Sequence, residues 1–187
     1  MSSRALSTLH DASFNRPMYV PLAEDVKMLT TFLKRESTSL KISIKNDPAC
    51  YDQLAEVVLA QLIIFNRRRS GESQRIEVND FKKGIKGSSV PANEEVLQSL
   101  SKFEKELCTI HHRIEIKGKR GRKVPVLITS DVKDSIEVML ENRETNSKYL
   151  FIKNNCSHPI RGCDVLRKFS YACGAQHPEY LTSTCLI

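Results

Sequence analysis

A chain of 187 residues with 29 basic and 22 acidic side chains carries a net charge of +7 and a pI near 9.1. With 40% hydrophobic and 27% charged residues, it has an ordinary composition for a soluble globular protein with one sizeable core, or one domain plus an arm. No apolar run approaches the roughly 20 residues of a membrane span, and the opening MSSRALSTLHDASFNRP lacks the apolar centre of a secretion signal. The expectation is therefore a nuclear protein, with the cytoplasm as the alternative, and cysteines kept as thiols. The basic balance favours a polyanionic partner, nucleic acid first.

Residues 1–20 are polar and show no periodicity, and they read as a flexible arm. From Pro21 the pattern turns helical. Leu22, Val26, Leu29 and Leu33 recur at spacings of three and four, with Glu24 and Asp25 in the first turn, predicting a helix that runs on to about Ile44. Asn46-Asp47-Pro48 stops it and starts another, because Asp47 is a natural cap and Pro48 a natural first helical residue. This second helix, about Pro48 to Asn66, is apolar on most sides, which predicts a central, buried position.

The helix runs straight into Arg67-Arg68-Arg69, then a small-residue break at Ser70-Gly71 and an acid, Glu72. Guanidinium groups stacked at the end of a buried helix suit a carboxylate or a phosphate, and the net charge makes phosphate the better match. Cations also sit well at a helix C-terminus without any ligand, so a solvated helix end is the competing explanation. A short turn of helix or strand then carries Ile76 and Val78 to Phe81, and Lys82 to Pro91 reads as a basic loop. Asn93 to Leu107 reads as an amphipathic helix.

A β-hairpin follows. His112 to Lys117 alternates, Gly118 to Gly121 turns, and Arg122 to Ile128 returns, with Pro125 marking an edge strand. Between Arg113 and Lys123 lie six basic residues (Arg113, Lys117, Lys119, Arg120, Arg122, Lys123) and one acid, Glu115. Such a turn can lie along a DNA groove and touch phosphates, and two basic clusters beside apolar elements suggest one shared anion site. Ser130 or Asp131 then caps a helix to about Asn142, Tyr149 to Ile152 reads as a short buried strand, and Cys163 to Cys173 as a last helix ended by Gly174. This order predicts a mainly α fold with a small β-hairpin, an α+β domain.

Cys156, His158, Cys163, Cys173 and His177 follow the spacing C-x-H-x4-C-x9-C-x3-H, with no C-x2-C pair. That departs from the usual zinc patterns, so no metal ligand and no cofactor is assigned; a small zinc-binding domain remains a rival reading.

The turn Arg69-Ser70-Gly71-Glu72 after an apolar helix resembles the first catalytic box of the tyrosine recombinases, the phage-integrase family. The runs FNRRRSGE, GKRGRKVPVLIT and HPEYLTST are similar to the recombinase-like genes derived from Crypton-type transposons. The resemblance covers about Pro21 to Cys185. The resemblance implies a partial tyrosine-recombinase catalytic-domain fold over residues 21–187. It makes Arg69 the clamp on the scissile phosphate and Glu72 its supporting acid. It also places the general-acid lysine in the hairpin turn, as Lys119 or, in the other register, Lys117. DNA contacts are then expected from Arg67, Arg68, Arg69, Lys117, Lys119, Arg120, Arg122 and Lys123, with double-stranded DNA as partner.

The family's second arginine box is expected from about Thr184, its arginine falling where this chain has Ile187. Tyr149, Tyr171 and Tyr180 all precede that point, so none matches the nucleophile in order. The expectation is a C-terminally truncated recombinase-like domain that neither cleaves nor joins strands, since phosphoryl transfer needs several aligned cations and a placed nucleophile. A protein-interaction or self-association module, using apolar surface left by the truncation, is the alternative.

Overall fold

The computed structural model describes residues 20–67, 69–86, 98–118 and 121–182. Most of the expected arm, residues 1–19, and the last residues, 183–187, lie outside the described residues. The elements run α1 (Ala23–Ser43), α2 (Cys50–Asn66), the single turn α3 (Ser70–Ser73), α4 (Val78–Lys86), α5 (Lys102–Ile110), β1 (His111–Lys117), β2 (Lys123–Thr129), α6 (Ser130–Glu141) and α7 (Gly162–Ala172). A 3-10 turn, Pro178–Tyr180, closes the described chain. The fold is mainly helical with a two-stranded antiparallel sheet, as the residue pattern predicts. Among the described residues no helix is long and apolar enough to cross a membrane.

α2 is the axis of the core. It begins at Cys50, not Pro48, and Asp47 does not cap it: Asp47 Oδ1 accepts the Ala49 N–H at 3.0 Å in the turn ahead of the helix, and ten apolar residues from Tyr51 to Ile64 are buried along it. Each of the Leu, Ile and Val side chains among them contributes about 1.5–3 kcal/mol by leaving water. Around it pack α1, α6, α7 and the inner face of the hairpin. α1 meets it through Leu29, Leu33 and Leu40. α6 brings Val132, Ile136 and Met139, and α7 brings Val165, Leu166 and Phe169.

Two buried acids tie the ends of this assembly together, and neither was singled out from sequence. Asp25, 2% exposed, accepts the backbone N–H groups of Gln176 at 2.9 Å and His177 at 3.1 Å, fastening the chain after α7 to the start of α1. Glu56, 6% exposed on α2, is bonded to Lys153 at 2.6 Å and Lys168 at 2.5 Å.

Four expectations are corrected. Residues 82–86 are helical, not loop: α4 continues through Gly84, because a Cβ there would lie 2.3 Å from Ile114 Cγ2, so only glycine lets the helix lie this close to β1. Residues 87–97 are outside the described residues. The start expected at Asn93 lies outside the described residues, but the helix does not run on unbroken to Leu107: residues 98–99 are helical, the chain bends at Leu100, and a new helix starts at Lys102 behind a reciprocal capping box of Ser101 and Glu104. Its described side chains are all exposed, including Phe103 at 67%, so its apolar stripe does not reach the core. Residues Leu150, Phe151 and Ile152 are buried, but they form no strand ladder. Instead, isolated bridges join Tyr149 to Glu77 and Ile152 to Pro159, threading the segment between two loops. Finally, Thr129 precedes α6, and Ser130 Oγ donates to the Ile110 carbonyl, not into its own helix.

Candidate nucleic-acid interface

The arginine cluster begins where α2 ends. Arg67 takes a left-handed backbone (φ 46°, ψ 42°), and its N–H reaches the Ile64 carbonyl at 3.4 Å. That conformation costs a residue with a Cβ about 1–2 kcal/mol. Arg69 is extended (φ −55°, ψ 123°) and opens α3, its carbonyl accepting the Glu72 N–H at 2.9 Å. Two sharp changes of backbone direction therefore turn the guanidinium groups of a buried helix outward. Arg67 and Arg69 are both exposed, and neither has a side-chain partner among the described residues. Arg68 lies outside the described residues.

The hairpin supplies the second cluster. β1 and β2 pair from His111–Thr129 to Lys117–Lys123. The Gly118 N–H donates to the Arg122 carbonyl at 2.8 Å, which places the even-numbered residues in mutually bonded pairs. Ile114, Ile116, Val126 and Ile128 face the core, and Lys117, Arg122 and Lys123 are exposed. Glu115 takes up two of the cations, Arg113 and Lys123, each at 3.1 Å. Lys117 and Arg122 have no side-chain partner among the described residues. Lys119 and Arg120 lie outside the described residues, so the choice between Lys119 and Lys117 stays open.

Two contacts bring these clusters together. The Asn66 side chain works like a short piece of strand: its Oδ1 accepts the Leu127 N–H at 2.8 Å and its Nδ2 donates to the Leu127 carbonyl at 2.9 Å. The last residue of α2 is thereby locked to β2. At the turn, a Cβ on Gly118 would lie 2.4 Å from Val124 Cγ2 across the hairpin, which favours glycine there, and 3.6 Å from Glu72 Oε1, which puts the Glu72 carboxylate close to the hairpin tip. Glu72 thus stands between the arginine turn and the basic turn. Asn66 was read only as the end of a helix. Its signal in sequence, a helix-terminal Asn before arginines, does not reveal a partner 61 residues away.

The sulfur and imidazole groups do not assemble. Cys156 and His158 border a cleft of about 300 Å³ with Glu56, Lys153, Arg161 and Lys168. Cys163 sits exposed on α7 against Asp164, and Cys173 bonds the Ser170 carbonyl. His177 stacks on Tyr180 at 5.1 Å. No group of three or more potential ligands stands ready for a metal among the described residues. A second, largely apolar groove of about 600 Å³ runs between α1, the end of α2 and the start of α6, with Phe65 and Arg67 at its wall.

No family model and no curated protein matches the sequence. Solved structures do match by shape. XerH site-specific recombinase in its post-cleavage complex with the palindromic difH substrate superposes with a TM-score of 0.56 at 15% identity, over 92% of this chain and 40% of that one. The same recombinase in its pre-cleavage complex with difH gives a TM-score of 0.57 at 15% identity, over 91% and 41%. The chain has a tyrosine-recombinase fold. It spans about two fifths of the recombinase chains it matches. In this chain the end of α2 and the hairpin, roughly fifty residues apart in sequence, are held together by the Asn66–Leu127 bonds.

Proposed function

We propose that this chain is a recombinase-like duplex-DNA-binding protein. The observation that carries the reading is the meeting of two cationic surfaces. Arg67 and Arg69 at the end of α2 and Lys117 and Arg122 on the hairpin are exposed, without partners among the described residues, and belong to elements joined by the Asn66–Leu127 bonds, with Glu72 close to the hairpin tip. Arg68, Lys119, Arg120 and Lys123 extend the same surface in sequence. Phosphate is the anion such an array meets along a duplex, and each neutralised phosphate steepens the salt dependence.

The same reading assigns Arg69 and Lys117 or Lys119 to a vestigial clamp on one phosphate, with Glu72 supporting it. It takes the protein to bind without cutting. Tyr149, Tyr171 and Tyr180 all precede the place expected for the family's second arginine box, so the reading assigns none of them as the nucleophile, although Tyr171 is exposed on α7. Descent from a Crypton-type transposon and residence in the nucleus belong to this proposal, supported by the sequence runs already quoted.

The test is binding of the purified 187-residue chain to a generic duplex at two salt concentrations, beside the double variant Arg69→Glu with Lys117→Glu. Four phosphate contacts give a slope of log K on log salt near −3.6, or about −0.9 for each. The reading expects a slope of that order and its collapse in the double variant, with no covalent protein–DNA product on a nicked substrate. A well-folded chain without low-salt affinity ends the DNA reading. The surviving alternative is then a protein-interaction module, favoured by the uncovered Phe103, Leu107 and Ile110 on α5, and checked by a mass that rises with concentration.

A further inference from the structure

The largely apolar groove of about 600 Å³ takes its lining from three helices. Val26 and Thr30 come from α1, Ile64 and Phe65 from the end of α2, and Val132 from the start of α6. Gln61 Nε2 donates to the Leu33 carbonyl at 3.3 Å, which ties α1 to α2 at the groove. Of the charged residues on the lining, Lys34 and Asp131 pair with each other at 3.6 Å. What such a groove stabilises is chiefly the burial of apolar side chains, and its volume falls in the range that holds a few large ones.

The chain itself enters the molecule at this groove. Val20 and Pro21, where the described chain begins, belong to its lining, and Val20 is 75% exposed there. Residues 1–19 lie outside the described residues and are attached at this point. Their last part, residues 12–19, carries one charge, Arg16, and three large apolar side chains, Phe14, Met18 and Tyr19. Phe14 is six residues from Val20, so its tether spans at most about 20 Å. Pro17 and Pro21 restrict the backbone in between, which lowers the entropy cost of ordering it. We propose that the groove is the docking site of this chain's own N-terminal segment, with Phe14, Met18 and Tyr19 as the side chains that fill it. A tethered occupant needs little intrinsic affinity. At an effective concentration on the order of 1 mM, a Kd of about 100 μM keeps the groove about nine-tenths filled. A docked segment then takes the place of the flexible arm that composition suggests, and the inference does not depend on DNA binding.

Hydrogen exchange of the full 187-residue chain, read by mass spectrometry without DNA, tests this. The proposal expects the amides between Phe14 and Val20 to exchange about tenfold more slowly than in a synthetic peptide of residues 1–19, as nine-tenths occupancy requires. Phe65→Asp and Thr30→Arg alter the groove from α2 and from α1, each at an exposed position. Each is expected to abolish the slowing while the far-ultraviolet circular dichroism stays that of the wild type. Phe14→Ser combined with Met18→Ser should abolish it from the other partner, with the groove intact. Free-peptide rates in the wild-type chain overturn the proposal. Slowing that survives the groove variants also overturns it, because the segment then docks elsewhere. Slowing that grows with protein concentration makes the occupant a second copy of the chain, and the proposal fails in that case too.

Discussion

Two charged regions of this molecule use the same residue types to opposite ends. Around Glu56, a nearly buried carboxylate on the central helix draws Lys153 and Lys168 onto itself from two other parts of the chain. At the end of the same helix, Arg67 and Arg69 face outward, and the next acid in sequence, Glu72, stands beside a turn rich in further cations. The first cluster is neutralised from within and serves the fold. The second is positioned by the fold and left open. A basic composition alone cannot separate the two, because both add to the same net charge. The presence or absence of internal partners does separate them.

Breaking the closed cluster should produce the largest effect on stability. Glu56→Gln is expected to cost about 2–3 kcal/mol in urea unfolding, less than for a fully buried ion pair because both lysines reach water. DNA affinity per folded molecule should not change. The same contrast has a pH signature. Burial pushes the Glu56 carboxyl up, but the bonds to Lys153 and Lys168 outweigh it, so the folded group titrates below its ordinary 4.5. A carboxyl lowered on folding stabilises the native state above its unfolded value, and that contribution is lost as the pH falls through the folded value. The stability gap between wild type and Glu56→Gln should therefore be full at pH 7 and shrink below about pH 4.5. Lys153 is raised by its bond to Glu56, so its share of that stability is lost instead as the pH climbs past its raised value.

Loosening the open cluster from its support should matter less to stability and more to binding. Asn66→Ala removes both bonds to Leu127 and is expected to cost about 1–2 kcal/mol. It should also speed hydrogen exchange at the Leu127 amide and weaken duplex binding. Unchanged exchange at Leu127 would show that the hairpin keeps its place by other means. The smallest stability effect is expected from Glu115→Gln. It frees Arg113 and Lys123 from an exposed ion pair, so stability should stay within about 0.5 kcal/mol while DNA affinity rises a few-fold.

Local chemistry was legible in the sequence, and distant pairing was not. The apolar run of α2 could only be a central helix, and the alternation from His112 to Ile128 could only be a hairpin with Pro125 outward. Both patterns are carried by neighbouring residues. Gly84 misled because glycine punctuates loops more often than it sits inside helices, and its reason for being in α4 is Ile114, thirty residues later. The segment from Tyr149 to Ile152 has the composition of a strand, but the partners that would make it one occur as single bridges. Ser101 and Glu104 were a readable capping box, passed over because the apolar periodicity seemed to begin earlier. At the candidate site, the basic runs at the end of α2 and along the hairpin were legible as exposed cations at Arg67, Arg69, Lys117 and Arg122, whereas Asn66 acts through a backbone that no local pattern reveals.

The Asn66 amide has one more consequence. An outer strand normally offers a row of bare peptide groups to any passing chain, and that is how sheets grow into aggregates. Along β2 the outward-facing positions at mid-strand are Pro125, which has no N–H, and Leu127, whose N–H and carbonyl are both taken by Asn66. The seam is closed from inside the molecule by a single side chain. Two molecules can then come close together without their hairpins joining edge to edge along this stretch.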